Sequence, residues 1–260
     1  MKSAQIPASD LVLNADGSVY HLHLKDENIA DIVLLVGDPG RVAQVSRHFS
    51  AIEFQTQNRE FITHTGLYSG TRVTVISTGI GTDNVDIVMN ELFAATHINL
   101  QQRTLKETKR ALQIIRIGTS GALQPHIKLG DFVASAFGLG LDGLMYYYNY
   151  RFNPTETDLA NAFKSQIEWP EKLSTPYFVE ASKTLLAKIG FDMLHGITAT
   201  GTGFYGPQGR NLRLRDGLAT QELFAKFEYN GLQITNFEME TSAVYGSGKI
   251  FGFECCTVDL

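Results

Sequence analysis

Short apolar runs followed at once by glycine recur along this chain. In "ADIVLLVGDPGRVAQVSRHF" the unbroken stretch 32–36 reads as a buried strand, "GDPG" breaks it, and Arg41 opens an amphipathic helix. "RVTVISTGIGTDNVDIVMNELFAAT" repeats the arrangement: a strand over about 72–77, a glycine-rich turn, and a helix from about Asp83. "LQIIRIGTSGAL" gives a third strand ending in such a turn, "DFVASAFGLG" a fourth and "LHGITATGTGF" a fifth. Towards the end, "NFEMETSAVYGSGKIFG" reads as a helix and "FECCTV" as a final strand.

Strands alternating with helices predict an α/β fold with a largely parallel sheet. Such sheets bind ligands at the carboxyl ends of their strands, which is where the strong glycine clusters fall. "YHLHL" puts His21 and His23 on one face of a possible strand. "HINLQQRTLKETKRALQ" is polar and basic and reads as an exposed connection, not a domain linker. "RFNPTETDLANAFKSQIEWPEKLSTPYFVEASKTLLAKIG" reads as surface helices around proline-bearing loops. There is no internal repeat or low-complexity tract, so a single domain over residues 1–260 is expected.

Composition narrows the classes. With 22 basic against 27 acidic residues, the net charge is −5, which gives no basic footprint for nucleic acid. A few local arginines could still hold a small anion. The adjacent cysteines, Cys255 and Cys256, are poorly placed to bridge each other and read as reduced thiols of a cytoplasmic protein. The N-terminal "MKSAQIPASDLVLNADG" lacks the apolar stretch of a signal peptide, and no window is apolar enough for a membrane span.

Several segments carry candidate chemistry. In "GDPGR", the strand-to-helix junction over Gly37 with Arg41 in the first turn suits an oxyanion, or is a tight turn with a solvated arginine. Arg116 sits inside an apolar strand and must meet either an anionic ligand or a structural carboxylate, with the Thr119 hydroxyl following. "STGIGTDN" is only a partial dinucleotide fingerprint, and "GSGKI" lacks the first glycine and the Ser or Thr of a P-loop. His21 and His23 have no clustered Cys, Asp or Glu to complete a metal site.

"GFYGPQGR" places Phe204, Gln208 and Arg210 in one loop. Gln donates and accepts while Arg only donates, a pair suited to an imide edge with carbonyl oxygens. "NFEMETSA" sets Glu238 and Glu240 around Met239 among apolar neighbours. A carboxylate there would match the vicinal diol of a sugar, or would face water at a helix start.

The segments "VGDPGRV", "NREF", "STGIGTDN", "RIGTSGALQPHIKLGDFV", "GFYGPQGR" and "NFEMETSA" follow one another in an order that resembles the nucleoside phosphorylase family, and within it the uridine phosphorylases. The resemblance covers most of the chain from His21 to about Val258. It implies a three-layer α/β/α fold with a central mixed, largely parallel twisted sheet. It also implies phosphate-binding roles for Gly37, Arg41, Arg116 and Thr119, with Arg59 reaching the phosphate of a neighbouring subunit. His21 matches a residue that crosses to the neighbour's ribose 5′-hydroxyl. Met239 and Glu240 match ribose contacts, with Glu238 beside them. Phe204, Gln208 and Arg210 match the pyrimidine pocket, and Glu60 a residue that can face a potassium or other monovalent cation between subunits.

The implied activity is reversible phosphorolysis of uridine to uracil and ribose 1-phosphate, with Arg210, Gln208 and Glu240 as catalytic residues. Phosphate would be the co-substrate, with no organic cofactor, and the protein a homo-oligomer, a dimer or a trimer of dimers. Rival readings are purine or thymidine specificity, a water-using nucleosidase of the same fold, and a non-catalytic binding protein. The resemblance further implies an Asn-Arg segment and a last helix beyond "ECCTV", which the sequence to Leu260 does not include. Purine-specific relatives carry a base-protonating acid in that later region, so the uracil reading rests on Gln208 and Arg210.

Overall fold

The computed structural model describes residues 5–210, 212 and 218–260, so the first four residues of the N-terminal stretch lie outside the described residues. The chain is α/β as expected, a mixed, largely parallel sheet flanked by helices. It divides into two compact units, Met1–Ile115 with Phe251–Phe253, and Arg116–Ile250 with Glu254–Leu260.

In the first unit the apolar run is strand β1 (Ile32–Val36), "GDPG" is the turn, and α1 (Gly40–Ser46) follows. An antiparallel hairpin that the apolar pattern did not reveal comes next, β2 (Ala51–Asn58) and β3 (Phe61–Tyr68). β4 (Thr71–Ser77) pairs antiparallel with β3 and parallel with β1, Val36 standing opposite Ser77. α2 (Thr82–His97) starts within a residue of the expected position. Val36, Val42 and Val75 form the packed interior beneath α1, with Phe49 and Ile62 against them.

Two expectations fail in this unit. "YHLHL" is a turn and not a strand: His23 has φ of 53°, in the left-handed region. The "HINLQQRTLKETKRALQ" segment is more than an exposed connection. It folds into a ribbon of β5 (Ile98–Asn99) and β6 (Thr104–Leu105), and ion pairs tie it down, Lys106 and Arg110 each lying 2.6 Å from Asp26. The chain then passes through β7 (Gln113–Gly118) into the second unit.

There, β8 (Gly121–Ala122), β9 (Val133–Gly140) and α3 (Pro154–Gln166) come first. α3 begins with a reciprocal capping box between Asn153 and Glu156 and a proline in its first turn. Between α3 and α4 (Lys183–Ile189), the segment read as surface helices contains a buried strand, β10 (Tyr177–Glu180), antiparallel to β9. β11 (Leu194–Thr200), α5 (Thr220–Ala225), β12 (Glu228–Tyr229), β13 (Leu232–Glu238), α6 (Thr241–Phe251) and β14 (Glu254–Asp259) complete the order. β11 lies between β9 and β13, parallel to both, and β14 pairs antiparallel with β9. Phe163 contacts Phe178, Phe224 and Phe227 in the core beneath this sheet, with ring centroids 5.7–6.0 Å apart.

The reading of "NFEMETSA" as the opening of a helix is corrected. Asn236 to Glu238 end strand β13, and α6 starts only at Thr241. No glycine or proline marks the change. The Glu238 carboxylate makes it, by accepting the Glu240 N–H at 2.8 Å and the Thr241 N–H at 2.9 and 3.0 Å. These are orphan donors of a helix start, and the carboxyl oxygens accept them.

Candidate active site

In the first unit, parallel pairing ends β1 and β4 side by side, so their glycine turns are neighbours. Thr78 N–H donates to the Val36 carbonyl at 2.8 Å, and Gly79 N–H to the Gly37 carbonyl at 3.0 Å. Asp38 Oδ1 accepts the Gly40 N–H at 2.8 Å at the start of α1. The Arg41 guanidinium folds back over Gly37, its Nη2 only 3.2 Å from where a β-carbon on that glycine would stand. Gly37 and Arg41 are thus brought together, as the "GDPGR" reading requires.

Arg59 and Glu60 form the β2–β3 turn. Arg59 is exposed and adopts φ of 54°. The Glu60 side chain lies against Gly79, and its carbonyl accepts the Ser77 hydroxyl at 2.6 Å. Among the described residues, no group of three or more His, Cys, Asp or Glu stands together as a metal site. His21 sits by the same hairpin, since Asn58 Nδ2 donates to its carbonyl at 2.9 Å. Its Nδ1 donates to Glu91 Oε1 at 2.7 Å, and Glu91 also accepts the His21 and Leu22 backbone N–H groups. Glu91 was not foreseen, because it lies 70 residues away on α2 with no local signal.

In the second unit, Arg116 on β7 is 3% exposed. Its Nη1 donates to Asp259 Oδ1 at 2.8 Å, its Nη2 to Glu240, and Glu238 Oε2 lies 3.4 Å from Nη2. Of the two partners that the sequence left open for this arginine, the structure provides carboxylates. Burial opposes the guanidinium charge, but Glu238, Asp259 and Glu240 together hold its pKa above the usual value. Burial also pushes the Glu238 carboxyl up to about 8, against the pull of Arg116. Asp259 is raised for the same reason. It was missed as a site residue, because it meets Arg116 from 143 positions away.

Thr119 is exposed just after β7, and Met239 is half-buried between Glu238 and Glu240. The "GFYGPQGR" loop brings its expected residues together. Arg210 Nη1 donates to the Phe204 carbonyl at 2.8 Å and to Gln208 Oε1, while its guanidinium carbon stacks 3.9 Å above the Phe204 ring. Gln208 is 2% exposed and Phe204 51% exposed, so the amide is fixed inside while the aromatic residue stands at the surface. Arg210 Nη2 passes 3.3 Å from where a β-carbon on Gly121 would stand, which links this loop to the turn after Thr119.

The chain belongs to the phosphorylase superfamily, whose family model matches residues 31–260. Within it the chain is uridine phosphorylase-like. It is 32% identical to a uridine phosphorylase of Thermococcus kodakarensis, over 91% of this chain and 74% of the relative. It is 30% identical to a uridine phosphorylase of Haemophilus influenzae, over 87% and 79%. A solved structure of Trypanosoma brucei nucleoside phosphorylase, described as showing uridine phosphorylase activity, superimposes with a TM-score of 0.88 at 28% identity. That match covers 96% of this chain and 89% of the other.

Proposed function

We propose that this chain catalyses the reversible phosphorolysis of uridine to uracil and ribose 1-phosphate. The observation that carries the reading is the Phe204–Gln208–Arg210 group, in which one residue offers a ring face, one a buried amide and one a guanidinium. Uracil presents a planar ring and an imide edge with two carbonyl oxygens, and these groups complement it. As the glycosidic bond stretches, the base gains negative charge and the ribose becomes cationic. The Arg210 guanidinium and the Gln208 amide donate to the carbonyl oxygens of the departing base and stabilise that charge.

Arg116 and Thr119 hold phosphate beneath the sugar, and the family resemblance assigns Gly37, Arg41 and Arg59 to phosphate as well. The phosphate charge stabilises the ribose cation, and its oxygen forms the new bond to C1′ as the bond to the base breaks. Arg116 gives single hydrogen bonds to Asp259 and Glu240, and a guanidinium has five donors. Glu240 accepts from the ribose diol, and Met239 packs beside it. Glu238 is the brace that fixes the backbone of Glu240. Catalysis by positioning and electrostatics needs no covalent nucleophile.

His21 and Arg59 serve the site of a second copy, so that the working unit is a dimer or a trimer of dimers, and Glu60 faces a potassium ion where copies meet. The enzyme works in the cytoplasm. No helix among the described residues is long and apolar enough to cross a membrane, and both cysteines are buried and unpaired. A release assay with uridine, thymidine and inosine, each with and without phosphate, tests the function. Uracil release that needs phosphate is expected. Release at the same rate without phosphate would make the protein a nucleosidase, and preferential release from inosine would overturn the base assignment.

A further inference from the structure

Asp259 is wholly buried, and both of its oxygens are used: Oδ1 accepts from Arg116 Nη1 at 2.8 Å, and Oδ2 from Asn236 Nδ2 at 3.1 Å. Asn236 is itself locked. It donates to Ser120 Oγ at 3.0 Å and accepts from the Thr198 and Thr235 hydroxyls at 2.8 and 2.9 Å. A second feature keeps this arrangement open. The Arg116–Asp259 bond crosses the face of Gly118, where a β-carbon would stand 1.9 Å from Arg116 Nη1 and 2.0 Å from Asp259 Oδ1. Gly118 does not have a positive φ, so backbone freedom does not explain its presence. It leaves room for the ion pair.

We propose that Asp259 is a positioning residue for phosphate: it sets the angle at which Arg116 presents its remaining N–H groups, and Gly118 leaves the space in which that angle is held. The inference rests on the reading of Arg116 as a phosphate ligand. A guanidinium is planar and donates along fixed directions, so a rotation about its stem redirects every donor at once. Glu240 and Glu238 both stand at one nitrogen, Nη2, and leave that rotation free. Asp259 holds the other and removes it. The buttress of Asn236 and the two threonines explains why a carboxylate is kept in a place where burial disfavours it.

The test compares wild type with Asp259→Ala, Asp259→Asn and Gly118→Ala, measuring KM for phosphate and for uridine separately, with melting temperature as the check on folding. Asp259→Ala is expected to raise the phosphate KM by about 10- to 100-fold, the scale of a 1 Å misplacement of a positioned group. The uridine KM should change less than about threefold. Asp259→Asn keeps the shape and one acceptor, and should recover part of the loss. Gly118→Ala keeps every charge and should reproduce the phosphate defect, which a purely electrostatic role for Asp259 does not predict. An unchanged phosphate KM in the folded Asp259 variants overturns the proposal, as do equal losses for phosphate and uridine. Calorimetric titration of inorganic phosphate into the same proteins separates this from the functional reading. If wild type binds phosphate but does not cleave uridine, the function fails while the Asp259 effect on phosphate affinity still stands or falls by itself.

Discussion

Replacing Glu238 by glutamine should remove a pH dependence of stability whose sign follows from the buried cluster. Glu238 has its ordinary pKa of 4.5 in the unfolded chain and about 8 in the folded one, chiefly because burial disfavours its charge. Between those values the native state holds a proton that the unfolded state has released. Stability from this group is therefore complete below about pH 4.5 and is lost as pH rises through 8. One proton gives a slope of at most about 1.4 kcal/mol per pH unit, so the loss from pH 5.5 to 7.0 is about 2 kcal/mol.

His64 and His97 oppose this trend. Burial lowers the pKa of both in the folded state, with Lys109 and Lys106 adding to the effect at His97, so their contribution is lost as pH falls. The informative quantity is therefore the difference between wild type and Glu238→Gln, in which the histidine terms cancel. Urea unfolding at a series of pH values gives it directly. Glutamine keeps one acceptor for the start of α6 and loses the other, which displaces the whole curve by a constant. The difference should shrink by about 2 kcal/mol from pH 5.5 to 7.0. A difference constant to within about 0.5 kcal/mol would mean that Glu238 is ionised in the folded protein and that the cluster is wrongly described.

Arg210→Ala removes the donor that the proposed function assigns to the departing base, and kcat should fall roughly 10²- to 10³-fold with the phosphate KM little changed; steady-state kinetics on uridine check this. Glu240→Ala should raise the uridine KM and lower kcat, and should also weaken phosphate binding because Arg116 loses a partner; initial rates at varied uridine and phosphate read both effects. Phe204→Leu should raise the uridine KM by about fivefold, because the aromatic ring and its stacked guanidinium contribute on the order of 1 kcal/mol; competition by free uracil offers an independent readout.

Strands that follow unbroken apolar runs were legible because burial on both faces leaves no other pattern, as in β1, β9 and β11. β2 was not, because most of its residues face solvent and its apolar signal is thin. β13 was concealed by continuity, since "LQITNFEMETSA" passes from strand to helix with a side chain acting as the break where glycine or proline usually does. The grouping of Phe204, Gln208 and Arg210 in "GFYGPQGR" was legible because the three are near neighbours in sequence. The carboxylates around Arg116 were only half legible. Glu238 and Glu240 carry a local signal, whereas Asp259 meets Arg116 across 143 positions and only the folded sheet brings them together.

The hydrogen bond from Gly79 to Gly37 ties two loops that are more than forty positions apart into one piece. Anyone building chimeras from this scaffold should treat "GDPGR" and "STGIGTDN" as a single cassette. A loop transplanted alone must keep the backbone path that brings the Gly79 N–H within 3.0 Å of the Gly37 carbonyl, or the seam between the two is lost.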